Sequence, residues 1–103
     1  MSIATTTSSL ELFERAASVI KCLGHPLRLR LLDALASGAS TVTELRLATG
    51  STQASVSQQL AILRGHGVVR ARRAGAFVSY SIAEPKVHQI LACIHGCGQE
   101  ETP

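Results

Sequence analysis

Two helix-capping signals separated by a glycine constrain this chain more than anything else in it. Thr41-Val42-Thr43-Glu44-Leu45-Arg46-Leu47-Ala48-Thr49-Gly50 opens with Thr three residues before Glu, the spacing of a capping box, and closes on a helix-stopping Gly. Thr52 then stands as the N-cap of a second helix. That helix, Thr52 to Arg64, puts Val56, Leu60 and Leu63 at i, i+4 and i+7, a narrow apolar stripe that docks on a core. Its other side carries Ala54, Ser55, Ser57, Gln58 and Ala61, with no acidic residue in the segment. An ordinary surface helix carries Glu and Lys pairs outward. A small, uncharged, amide-bearing face instead fits the DNA major groove, where Gln can bond both N6 and N7 of adenine and an Ala methyl can touch thymine. Two short helices joined by about three residues around a Gly form a helix-turn-helix, whose second helix enters the groove.

The residues that follow extend this unit. Gly65-His66-Gly67 ends the helix, Val68 to Arg73 reads as a strand, Ala74-Gly75-Ala76 turns, and Phe77 to Ile82 returns. The hairpin carries Arg70, Arg72 and Arg73 before its tip, suited to phosphate or the minor groove, where they position without reading sequence. The expected DNA contacts are therefore Thr52, Gln53, Ala54, Ser55, Ser57, Gln58 and Arg64 on the helix, and Arg70, Arg72 and Arg73 on the wing. The fold expected is mainly α with a small β-hairpin: a winged helix-turn-helix of about five helices.

At 103 residues the chain is one domain, and 46% hydrophobic content is enough for a core. With two Phe, one Tyr and no Trp, that core is built of Leu, Val, Ile and Ala. The net charge of +3 is compatible with nucleic acid without demanding it. Residues 1–9, Ser/Thr-rich and lacking the basic and apolar parts of a leader, are expected as a flexible arm. Leu10 to Leu23 reads as a helix with Phe13, Ala16, Ala17, Ile20 and Leu23 on one face and Cys22 on the other, near Arg15 and Ser18. Pro26 suits the first position of a second helix, apolar nearly all round at Leu27, Leu29, Leu31, Leu32 and Leu35, which must be central. Pro85 opens a last helix, Lys86 to about Ile94, with Val87, Ile90, Leu91 and Ile94 as its stripe; Gly96 and Gly98 are expected to fray it, leaving 97–103 as a tail after a domain spanning 10–96. The first and last helices lie outside the winged core, so they are expected to pack against their copies in a homodimer that reads palindromic, double-stranded operator DNA. Three cysteines without a leader fit the cytoplasm, and no apolar run approaches the length of a membrane span. An enzyme is disfavoured: His95 is separated by helical geometry from Cys93 and Cys97, and no orienting acid is evident.

Three separated motifs carry a family resemblance. Cys22-Leu23-Gly24-His25-Pro26-Leu27-Arg28-Leu29-Arg30-Leu31-Leu32, then Val56-Ser57-Gln58-Gln59-Leu60-Ala61-Ile62-Leu63-Arg64, then Tyr80-Ser81-Ile82 make residues 10 to 95 similar to the ArsR/SmtB repressors of bacteria. The resemblance implies a homodimeric winged-helix repressor, dimerised through its first and last helices, that leaves its operator when a metal, metalloid or reactive sulfur inducer binds. The family's known inducer sites are not reproduced. Where the arsenic and cadmium type has Cys-Val-Cys-Asp-Leu, this chain has Thr41-Val42-Thr43-Glu44-Leu45. The zinc-type positions fall on Glu84, Lys86, Cys97 and Glu100, and a lysine ammonium repels a cation. The persulfide branch's cysteine late in the second helix is Asp33 here.

Cys22, Cys93 and Cys97 remain. Cys93 and Cys97 are one helical turn apart, and the resemblance packs the first helix on the last. Three sulfurs without a fourth ligand suit As(III) or Sb(III), since soft thiolates select soft, pyramidal acceptors. The alternatives are a thiol-based persulfide or redox switch, and a Zn(II) or Cd(II) sensor. The plainer reading takes the cysteines as small hydrophobes, and His25 and His88 as surface or capping residues.

Overall fold

The computed structural model describes the backbone of residues 3–100 and the side chains of residues 9–96. The elements run α1 (Ile3–Leu23), α2 (Pro26–Ala36), α3 (Val42–Thr49), α4 (Gln53–Gly65), β1 (Val69–Ala74), β2 (Phe77–Ile82) and α5 (Lys86–Glu100). Five helices and a two-stranded antiparallel hairpin are the architecture expected. Both outer helices are longer than expected. Helical backbone begins at Ile3, taking in residues read as an arm, because no Gly or Pro interrupts the run back from Leu23. At the other end α5 continues through Gly96 to Glu100 instead of fraying, since an internal Gly costs a helix only about 1 kcal/mol. Side chains beyond residue 96 lie outside the described residues.

The core is aliphatic. Leu31, Leu32, Leu45, Val56, Leu60, Leu63, Val68 and Val87 are fully buried, with Leu23, Leu35, Val69 and Leu91 around them. Pro26 at the first position of α2 loses no hydrogen bond there, and α2 touches every other helix and β2. It is the central helix its all-round leucines require. His25 occupies the N-cap position of α2 without capping it, and its Nδ1 is buried without a partner. Two polar links bind outer elements to this centre: His95 Nε2 of α5 lies 2.9 Å from Asp33 Oδ1 of α2, and the Tyr80 backbone N–H of β2 donates to the Ser40 carbonyl (2.7 Å).

The apolar stripe of α1 is mostly uncovered. Leu10, Leu12, Phe13 and Ile20 are exposed, Phe13 by 70%, while only Leu23 of the expected face reaches the core. An open apolar trough between α1 and α5 is lined by Leu12, Ala16, Val19, Ile20, Val87 and Ile90. None of the described helices is long and apolar enough to cross a membrane.

Candidate nucleic-acid interface

The interface is built from its caps. The Thr41 hydroxyl accepts from the Glu44 backbone N–H (3.1 Å), and Glu44 Oε1 accepts in return from the N–H groups of Thr41 (3.2 Å) and Ser40 (2.9 Å). Those backbone hydrogen bonds, first Ser40's and then Thr41's, hold the Glu44 carboxyl below its ordinary range. Gly50 ends α3 in the left-handed region (φ 71°), its N–H returning to the Arg46 carbonyl at 2.8 Å. Thr52 then caps α4 through its hydroxyl, which accepts from the Ser55 N–H (3.1 Å). Arg30 Nη2 of α2 donates to the Thr49 carbonyl (2.8 Å), holding the end of α3 where the turn begins.

On α4, Val56, Leu60 and Leu63 are buried and seat the helix; Gln53, Ala54, Ser57, Gln58, Ala61 and Arg64 are exposed. This is the division the helical period requires. Ser55 is half-buried, its backbone occupied by the cap. Gln59 was not among the expected interface residues, and it has a different task. Its Oε1 accepts from Arg28 Nε of α2 at 2.7 Å, while Arg28 Nη1 donates to the Cys22 carbonyl at 2.9 Å. Nothing in the sequence signals a bond between residues 31 apart.

In the wing, Arg70, Arg72 and Arg73 are all exposed. The register pairs Arg70 with Ser81, Arg72 with Ser79 and Ala74 with Phe77, so Arg70, Arg72 and Phe77 share one side of the hairpin. The opposite side packs Val69, Tyr80 and Ile82 on the core and carries the half-buried Ala71 and Val78, with Arg73 nearer the tip. Gly75 makes the turn with φ 62°. Among the described residues no carboxylate lies within salt-bridge distance of Arg64, Arg70, Arg72 or Arg73, so none of them is neutralised there.

Of the candidate sulfur ligands, Cys22 shares its side of α1 with Ser18, as its spacing requires, and is 3% exposed. Cys22 packs into the core and lines a pocket with Ser18 and Lys21 of α1, Arg28 of α2, Ile62 of α4 and His66. Cys93 is exposed on α5. The side chain of Cys97 lies outside the described residues. Among the described residues no three His, Cys, Asp or Glu side chains come together as a metal site. At the zinc-type positions, Glu84 Oε2 accepts from the Lys86 backbone N–H (3.0 Å), which gives that carboxylate a helix-starting role.

A capped recognition helix with an acid-free outer face, set beside a basic hairpin on one aliphatic core, defines a winged helix-turn-helix, a DNA-binding module. The comparisons narrow the class. Residues 25–71 match the family model described as bacterial regulatory protein, arsR family. The uncharacterized HTH-type transcriptional regulator Rv0081 of Mycobacterium tuberculosis is 42% identical over 82 residues, covering 79% of this chain and 72% of that one. A biofilm growth-associated repressor of Xylella fastidiosa is 37% identical over 87 residues, covering 82% and 76%. The homodimeric winged helix-turn-helix DNA-binding domain Mb0332 of Mycobacterium bovis superposes with a TM-score of 0.77 at 33% identity, covering 90% and 86%. The chain belongs to the ArsR/SmtB family of DNA-binding transcriptional repressors, which are regulators and not enzymes.

Proposed function

We propose that two copies of this chain bind a two-fold symmetric operator and repress transcription until a thiophilic inducer releases them. The observation that carries the DNA reading is the outer face of α4, exposed from Gln53 to Arg64 and free of acid, above a fully buried Val56–Leu60–Leu63 stripe. Gln58 reads a base edge, and Arg70, Arg72 and Arg73 hold phosphate or the minor groove. The exposed Leu12, Phe13 and Ile20 of α1 and Ile94 of α5 are the surface that a second copy covers; the homodimeric neighbour supports this.

For the inducer, the reading is As(III) or Sb(III) held by the thiolates of Cys93, Cys97 and Cys22. Arsenite arrives as a neutral trihydroxide; each thiol proton leaves with a hydroxide as water while an As–S bond forms. Cys93 is open to solvent and starts the capture. Cys22 must leave its buried place, which disturbs the seam between α1 and α4 and lowers DNA affinity. A coupling of about 1–3 kcal/mol, roughly 5- to 150-fold in affinity, is sufficient. The exposure of Cys93 also favours a second reading, a persulfide or redox switch, in which the same thiols are oxidised by reactive sulfur.

The test is native mass spectrometry of the reduced protein with arsenite, antimonite, Zn(II) or an organic polysulfide, beside mobility shifts on a duplex the protein selects from a random pool. One metalloid per protomer, lost in Cys93→Ser and Cys97→Ser variants that still bind DNA, is the expected result. Added sulfur or a two-hydrogen mass loss with no metalloid retained replaces the metalloid reading with the sulfur switch. Failure of reduced Cys→Ser variants to bind DNA would count against both.

A further inference from the structure

The Arg28 guanidinium joins three elements that no backbone hydrogen bond joins. At the end of α1 the Gly24 N–H donates to the carbonyls of Ile20 (3.0 Å) and Lys21 (3.2 Å), and the His25 N–H to that of Leu23 (2.8 Å). The Cys22 carbonyl is left, and Arg28 Nη1 of α2 caps it at 2.9 Å, a cation placed where a helix C-terminus favours one. The Nε of the same planar group donates to Gln59 Oε1 at 2.7 Å, midway along α4. A guanidinium has its donors in fixed directions, so it cannot follow one acceptor without moving against the other.

We infer that Arg28 is a positioning residue for DNA recognition, locking α4 to the end of α1 and so fixing how far apart the two copies present their recognition helices. The inference rests on the proposed dimer through α1. If α1 carries the two-fold contact, the angle between α1 and α4 in each copy sets the separation of the two α4 helices, and a palindromic site is read only at matching spacing. The hydrophobic seat of α4, Val56, Leu60 and Leu63, resists its lifting from the core. Sliding and rolling over aliphatic side chains meet less resistance, because dispersion contacts are non-directional. The Arg28–Gln59 bond supplies the missing direction. Gln59 is thereby withheld from the DNA that its neighbour Gln58 faces, which separates two adjacent amides into a reader and a strut.

The test compares operator duplexes whose half-sites, taken from the sequence the wild-type protein selects, are one base pair closer or farther apart. Wild type is expected to discriminate by roughly tenfold or more, and Arg28→Met by under about threefold. Gln59→Met, which removes the amide that accepts from Arg28 at a half-buried position, is expected to match it, and the double variant to be no flatter than either single one. A merely structural Arg28 would weaken binding at every spacing by one common factor and leave the ranking intact; that result overturns the inference. Should Arg28→Met not fold, as read by circular dichroism, Gln59→Met alone decides. Native mass measured on the same samples separates the two readings: a wild type that selects single half-sites as a monomer removes the proposed dimer, whereas a dimer with unchanged spacing preference in the variants removes only the role of Arg28.

Discussion

Replacing Gly50 by Ala isolates the backbone requirement of the turn between α3 and α4. At φ 71°, with no heavy atom within 4 Å of where a Cβ would sit, the substitution meets no neighbour, so any loss of stability is conformational. An L side chain in the left-handed region costs roughly 1–2 kcal/mol, and the narrower unfolded ensemble of Ala offsets roughly 0.4–1 kcal/mol of that. The net expectation is a loss of about 1 kcal/mol, which lowers the melting temperature of a domain this size by about 4–8 °C. Gly50→Asn should recover part of the loss, because Asn tolerates this region better than Ala. The control is Gly24→Ala, whose φ lies outside the strained range and whose Cβ would meet the Ile20 and Lys21 carbonyls at an ordinary 3.5 Å. Urea unfolding of all four proteins at one concentration measures the series, a fixed concentration being needed for a protein whose subunits associate. If Gly50→Ala unfolds at the wild-type midpoint, or Gly24→Ala loses as much, the left-handed turn is not what ends α3.

Two further outcomes are expected. Changing Arg70, Arg72 and Arg73 together to Gln should reduce the slope of log affinity against log salt by about 0.9 for each phosphate that is no longer neutralised, with the melting temperature unchanged; an unaltered slope would remove the wing from the DNA backbone. The lowered pKa of Glu44 means that its contribution to stability is complete above the ordinary 4.5 and is lost as pH falls through the folded value. Glu44→Gln keeps an acceptor without the charge, so its deficit relative to wild type should be steady near neutrality and shrink in acid, as urea titrations at several pH values would show.

The helix-turn-helix is legible in the sequence because its punctuation is local. Thr41, Glu44, Gly50 and Thr52 act within three or four residues, and each does what its position in the chain implies. The hairpin is legible for the same reason, from Gly75 and the strand-forming residues on either side. Periodicity puts Cys22 on the correct side of its helix, but it gives only a side and not what lies against it; α2 and α4 come to cover it from elsewhere in the sequence. His25 sits at an N-cap without serving as one, since its side chain makes no hydrogen bond to the start of α2. Expecting Gly96 to fray the helix makes α5 too short: Gly96 keeps negative-φ backbone, unlike the left-handed Gly50 that ends α3, and the helix runs on through it. The Arg28–Gln59 bond is beyond the reach of sequence, because two good hydrogen-bonding side chains say nothing of each other until the helices carrying them cross.

The backbone of a single residue, Ser40, couples the recognition unit to the wing: its N–H donates to Glu44 in the capping box, and its carbonyl receives the Tyr80 N–H. The bonds that fix this geometry, including that from Arg30 to Thr49, involve none of the exposed residues Gln53, Ala54, Ser57, Gln58 and Ala61. If those residues read the bases, as proposed, base preference can change while the frame stays as it is. A lineage that duplicates this gene, or a selection that randomises those five positions, can reach new operators without first rebuilding the protein.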